Sequence, residues 1–168
     1  MFVVSGIIFE DVYSNYSDNI IFMLLLSFPQ NDFSVKRVKD DPQIFDTIRK
    51  KWVKLTPEEW VRQNMIAMLT QSIKVPPPFI SIEKEMVVGR LKKRFDMLIY
   101  NRNHQPWMLI ECKADHVRLT QETAAQLLRY HQVLQAKYLI VANGQSALGW
   151  LNEGGEIKRM TDWPLFDY

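Results

Sequence analysis

The stretch that most constrains this chain is residues 107–114, Trp-Met-Leu-Ile-Glu-Cys-Lys-Ala, an apolar run broken only by Glu111 and Lys113. Charges inside such a run are costly to desolvate unless they are paired or put to use. As a β-strand the run has period two, so Glu111 and Lys113 share one face while Met108, Ile110, Cys112 and Ala114 line the other. A buried ion pair, or an edge strand whose charges reach water, is the plain explanation of an isolated Glu-x-Lys. The residues around the pair argue for more.

Bulk properties narrow the field only a little. A chain of 168 residues fits one domain with an ordinary core, and its formal charge of +2 does not by itself mark a nucleic-acid binder. Cys112 is the only cysteine, which excludes an internal disulfide and a cysteine-rich zinc site and fits a reducing cytoplasm. The longest uninterrupted apolar run, residues 20–26, is far too short to span a bilayer, so no membrane partner is expected.

Residues 1–22 lack the pattern of a secretory peptide and have no clear helical period. They are expected to be an N-terminal extension, with Met23 a candidate physiological start and residues 23–168 a single domain. Residues 24–28 and 33–38 suggest short strands, separated by turns at residues 29–32 and 39–42. Residues 44–53 could begin either a strand or a helix. This region is rich in Lys and Arg: a solvated face is the ordinary reading, and a phosphate-facing patch the sharper one.

Thr56 then opens a helix. It is an N-cap followed by Pro57, with Glu59 completing a T-x-x-E capping box and Leu55 and Trp60 as a hydrophobic staple. The helix is expected to run to about Ile73, burying Val61, Met65, Met68 and Leu69, before three prolines stop it. Residues 79–88, 95–100 and 107–114 form three strands joined by turns at residues 89–94 and 101–106, an antiparallel meander. Residues 120–135 are helical in period, and the continuous apolar run 137–142 suits a parallel strand buried on both faces. Residues 147–151 make a further strand, and the tail a hairpin with a docked or frayed end.

In an antiparallel pair turning near residues 102–105, Asp96 and Glu111 fall nearly opposite each other. Two adjacent carboxylates repel, and a divalent cation is the usual remedy. Oxygen ligands of this kind suit Mg²⁺ or Mn²⁺, and Lys113 beside them could stabilise charge developing on a phosphoryl group. His104, His116 and His131 have no ligand-like spacing and are read as non-catalytic. Cys112 faces away from the pair and is read as a small core residue.

Asp96, fourteen intervening residues, then Glu111-Cys112-Lys113 resembles the D…(D/E)-x-K signature of the PD-(D/E)xK nuclease superfamily. The Gln126-Leu127-Leu128-Arg129-Tyr130 segment resembles the Q-x-x-x-Y motif of its RecB-like branch. The span 55–144, with TPEEWVRQ, RFDMLIY, LIECK, QLLRYH and YLIVANG, is similar to the N-terminal nuclease domain of type I restriction enzyme R subunits and small stand-alone relatives.

The resemblance implies an α/β, restriction-endonuclease-like domain: a mixed central sheet with the Thr56 helix on one face and the 120–135 helix on the other. It implies Asp96 and Glu111 as metal ligands, Lys113 as the catalytic lysine, Gln126 and Tyr130 as residues that orient the site or contact DNA, and Glu59 as an acidic helix position. The implied activity is Mg²⁺- or Mn²⁺-dependent cleavage of DNA in the cytoplasm, alone or with a helicase or other DNA-processing partner. No P-loop motif is present to drive translocation. The alternative is an inactive nuclease-fold module for nucleic-acid binding or assembly. Strandedness, mode of cleavage and oligomeric state stay open.

Overall fold

The computed structural model describes residues 3, 4, 7, 8, 23–88, 91–120, 123–125, 127, 128 and 134–166. Most of the expected extension, residues 1–22, lies outside them. Within it the described residues form one short antiparallel pair, β1 (Val3–Val4) and β2 (Ile7–Ile8).

The centre is a six-stranded mixed sheet of β6 (Ile80–Val88), β7 (Leu91–Tyr100), β8 (Pro106–Cys112), β9 (Tyr138–Ala142), β10 (Ala147–Glu153) and β11 (Glu156–Arg159), in spatial order β11-β10-β9-β8-β7-β6. Strands β6, β7 and β8 pair antiparallel, as short turns between alternating segments require. The apolar β9 lies parallel to β8, a pairing that needs a long crossover. That crossover supplies helical residues 123–125, 127, 128 and 134. The expected mixed sheet is therefore what forms.

Alternation along most of these strands separates two cores. Met97, Ile99, Met108, Ile110, Cys112, Ile140 and Ala142 pack with Val61, Met65, Met68 and Leu69 of helix α1 (Pro57–Gln71). Their neighbours Leu98, Leu109, Leu139, Val141, Leu148 and Trp150 pack with Ala124, Leu127, Leu128 and Leu134 of the crossover. Each large side chain so buried contributes about 1.5–3 kcal/mol, enough in aggregate to hold α1 and the crossover on opposite faces of the sheet. Gly149 lies where Leu24 crosses the sheet: an added Cβ would come within 2.5 Å of Leu24 Cδ1.

The undecided 44–53 region is two strands. Strand β3 (Val35–Val38), β4 (Asp41–Asp46) and β5 (Lys51–Lys54) form a separate three-stranded antiparallel sheet leading directly into α1. Asp41 and Pro42, expected in a turn, begin β4: the tight turn closes at Lys39, whose φ of 56° is the left-handed geometry such a turn needs. Residues 24–28 form no strand and contribute a single bridge, Leu24 to Ala147. The expected 89–94 turn is also shorter, because β7 already begins at Leu91. Lys92 and Arg94, two residues apart on that strand, are both exposed.

Helix α1 begins as its sequence suggests, with the Thr56 hydroxyl accepting the Glu59 N–H at 3.1 Å. The other half of the expected capping box does not form: the Thr56 N–H donates to the Lys54 carbonyl, and the Glu59 carboxylate turns to guanidinium groups. Trp60, expected to staple onto Leu55, packs edge-on against Phe33 with ring centroids 5.2 Å apart.

Candidate active site

The register Met97↔Ile110, continued by one residue, sets Asp96 opposite Glu111 at the end of the β7–β8 ladder. Asp96 is not a passive ladder residue. Phe95 and Met97 lie two residues apart yet fall in opposite cores, so the alternation of β7 breaks at Asp96. Across from it on β6, between the pairs Ile82↔Met97 and Lys84↔Phe95, Glu83 has a φ of 50°. Irregularities of this type re-aim side chains, and they concentrate beside functional sites.

The turned carboxylate is held at both oxygens. Asp96 Oδ2 accepts the Cys112 N–H at 2.8 Å, and Oδ1 accepts Arg62 Nη2 at 2.9 Å. The expected strand 107–114 ends at Cys112, and just beyond it Lys113 Nζ donates to Glu111 Oε1 at 2.8 Å, with both side chains largely but not wholly covered. Burial and the nearby Asp96 charge push the Glu111 pKa up, partly countered by Lys113. Burial works against the Lys113 charge, but Glu111 outweighs it and its pKa is raised, so it stays an ammonium at neutral pH. Cys112 is buried, its thiol pushed well up by burial and then by Asp96, and it is a core residue as read from alternation.

The conflict between the two carboxylates has a measurable consequence. A carboxylate whose folded pKa is raised binds its proton more tightly folded than unfolded, so stability falls as pH rises from the unfolded value through the raised one. Glu111→Gln is therefore expected to raise the unfolding midpoint at neutral pH and to lose that advantage below about pH 4. Thermal unfolding of the two proteins across that range tests this. A midpoint at neutral pH no higher than that of the parent would rule the conflict out.

Behind Asp96 lies a buried ion network that sequence reading missed. Arg62 donates to both Asp96 and Glu59; Arg49 reaches Glu59, Asp46 and Glu83; and Gln63 Nε2 bonds Asp46 and Glu59 at 2.8 Å each. Asp46, Glu59, Arg62 and Gln63 are all buried. Burial disfavours the Arg62 charge, yet Asp96 and Glu59 more than compensate and its pKa is raised. A signal was present: Glu59, Arg62 and Gln63 stand at i, i+3 and i+4, polar residues at core spacing that the apolar Ile66 continues at i+7. Glu59 thus acts on Asp96 through Arg62. The exposed Glu58 is the α1 acid whose charge is felt at both Glu111 and Lys113.

Gln126 and Tyr130 lie outside the described residues, as does His131. His104 sits in the β7–β8 turn, at the other end of that hairpin from Asp96, and His116 makes an exposed contact with Asp115. Among the described residues no group of three or more His, Cys, Asp and Glu side chains could hold a metal ion. Asp96 and Glu111 nonetheless fit a hard cation of the Mg²⁺ type, which is commonly bound by one or two carboxylates and completed by water and phosphate oxygens. Burial first and the Asp96 charge second raise Glu111, and a bound cation would relieve the repulsion between the two carboxylates.

No described helix is long and apolar enough to cross a membrane. Comparison with curated proteins finds no match. Among solved structures, the chain is similar to a fragment described as the HsdR subunit of a type I restriction enzyme from Vibrio vulnificus YJ016, at 21% identity and a TM-score of 0.38. That similarity covers 51% of this chain and 18% of the other, so the chain spans under a fifth of its length. The family model of the type I restriction enzyme R protein N terminus (HSDR_N) matches residues 57–164, from the first turn of α1 through the β10–β11 hairpin. By that match, over well more than half its length, this chain belongs to the type I restriction enzyme R protein N-terminal family.

Proposed function

We propose that the chain is a metal-dependent DNA phosphodiester hydrolase whose site is Asp96, Glu111 and Lys113. The observation that carries this reading is the largely covered Glu111–Lys113 pair at the end of β8, with Asp96 turned out of its strand beside it and adding to the burial that raises the Glu111 pKa. Residues that merely stabilised the sheet would gain from being apolar here; charges kept partly open to solvent suit a substrate.

Asp96 and Glu111 would hold Mg²⁺ or Mn²⁺, which when bound supplies Lewis acidity towards a phosphoryl oxygen. Lys113, held as an ammonium by Glu111, would stabilise the negative charge that grows on the phosphoryl oxygens. Arg62 would keep Asp96 oriented, and Glu58 would add negative potential at the mouth of the site. Gln126 and Tyr130 are proposed, on the family motif, to orient the site or contact the DNA backbone, and the partner is DNA with a helicase or other DNA-processing protein.

The test is degradation of labelled single- and double-stranded DNA by the purified chain. Cleavage should require Mg²⁺ or Mn²⁺ and stop with chelator. One observation favours a second reading: the Arg62 guanidinium already neutralises Asp96. A folded wild-type chain that cuts neither DNA with either metal would establish the inactive binding or assembly module instead.

A further inference from the structure

Outside the candidate active site, charge and aromatic surface gather on the three-stranded sheet. Residues 35–54 carry Lys36, Arg37, Lys39, Lys50, Lys51 and Lys54 as exposed cations against two exposed carboxylates, Asp40 and Asp41. The whole chain has a formal charge of only +2, so its basicity is concentrated in this segment.

The register arranges the outer face. Ile44 and Asp46 of β4 point inward and are fully buried. Their neighbours Gln43 and Phe45 point outward, opposite Lys54 and Trp52 of β5, with Lys36 of β3 opposite Gln43. Trp52 is 37% exposed and rests edge-on against Phe45, with ring centroids 5.4 Å apart. Lys36 Nζ sits 4.2 Å from the centre of the Trp52 ring. Lys54 pairs with Asp41, both well exposed, an interaction worth little in water and readily exchanged.

We propose that this face is a docking platform for single-stranded nucleic acid. An unpaired base stacks on Trp52, displacing the Lys36 ammonium on to a neighbouring phosphate, while Lys54 and the turn residue Lys50 follow the backbone. A flat indole backed by an edge-on phenyl ring offers a face to any unpaired base, whereas a duplex hides its base faces. The fit is also one of charge, because a polyphosphate chain is what a segment with six exposed cations and two exposed carboxylates attracts.

The platform leads towards Asp96. The turn between β4 and β5 is clamped by Arg49 to Glu59 and Glu83, and Glu59 connects through Arg62 to Asp96. Trp52 lies three residues beyond Arg49, just past the turn that closes at Lys50, whose φ is 51°. The choice of nucleic acid as occupant rests on the proposed DNA-processing function, but the platform is measured without cleavage.

The experiment is fluorescence anisotropy with a labelled oligo-dT and a hairpin duplex, in chelator, for the wild type, Trp52→Ala, Trp52→Phe and the Lys36→Ala/Lys54→Ala double variant. The single strand should bind more tightly than the duplex. Trp52→Ala should weaken it about tenfold or more while Trp52→Phe retains most of it. Removing two phosphate contacts should flatten the slope of log K against log salt by about 1.4.

Binding that ignores Trp52 and both lysines, equal or tighter duplex binding, or no binding at all would overturn the proposal. If Trp52→Ala fails to fold, the salt slope of the lysine variant decides. Cleavage in Mg²⁺ by the same preparations separates the two ideas. Trp52-dependent binding without cleavage upholds the platform and defeats the nuclease, and cleavage with binding indifferent to these variants does the reverse.

Discussion

A Lys113→Met chain should remain folded and lose metal-dependent DNA cleavage by about 10²–10³-fold, the usual cost of removing one group aimed at transition-state charge. Lys113 is only partly covered, so a substrate phosphate can reach it, and Met can occupy the same path with modest loss of stability. A second effect follows from electrostatics. Glu111 is raised by burial and Asp96, and Lys113 is the neighbour that lowers it. Without Lys113, Glu111 stays protonated to higher pH, so the acid limb of the residual activity should move upward. Cleavage rates measured across pH, with an unfolding curve confirming the fold, test both statements. A loss smaller than tenfold with an unchanged pH profile would remove Lys113 from the chemistry.

Arg62→Met should destabilise the chain by about 3–5 kcal/mol, the cost of removing one partner from a buried ion network. Arg62 is itself buried and is the only described side chain bonded to both Glu59 and Asp96. Glu59 would retain Arg49 and Gln63, and Asp96 would retain the Cys112 N–H, so unfolding need not be complete. Repeating the substitution in an Asp96→Asn background should reduce its cost by about 1–3 kcal/mol, since the two residues are directly coupled. Urea unfolding of the four proteins of this cycle measures the coupling. Additive losses would mean that Arg62 stabilises α1 without orienting Asp96.

Much of the site was legible because strands and turns make spacing meaningful. Alternation in residues 107–114 correctly separated Glu111 and Lys113 from the core-facing Met108, Ile110 and Cys112. The short β7–β8 turn made Asp96 and Glu111 near neighbours on paper, and the observed ladder runs to Met97↔Ile110, one step short of that pair. Glu59 was less legible, because T-x-x-E is satisfied equally by a capping box and by a buried acid. Only the arrival of Arg49, from another sheet, and Arg62 decides between them.

What the sequence by itself determined is whatever depends on neighbours along the chain: the Thr56 start of α1, the β6–β7–β8 meander, the two-faced β9, and the carboxylate–lysine pair at the end of β8. These follow from periodicity, turn length and capping, which are local. The tertiary structure alone decided that β7 breaks its alternation at Asp96, that Arg62 binds that carboxylate, and that Arg49 joins the basic sheet to the same network. Partners 34 residues apart, such as Arg62 with Asp96 and Arg49 with Glu83, leave no periodic trace. Their pairing is set by how α1 and the two sheets pack, because a buried charge must find its opposite wherever the fold brings one within reach.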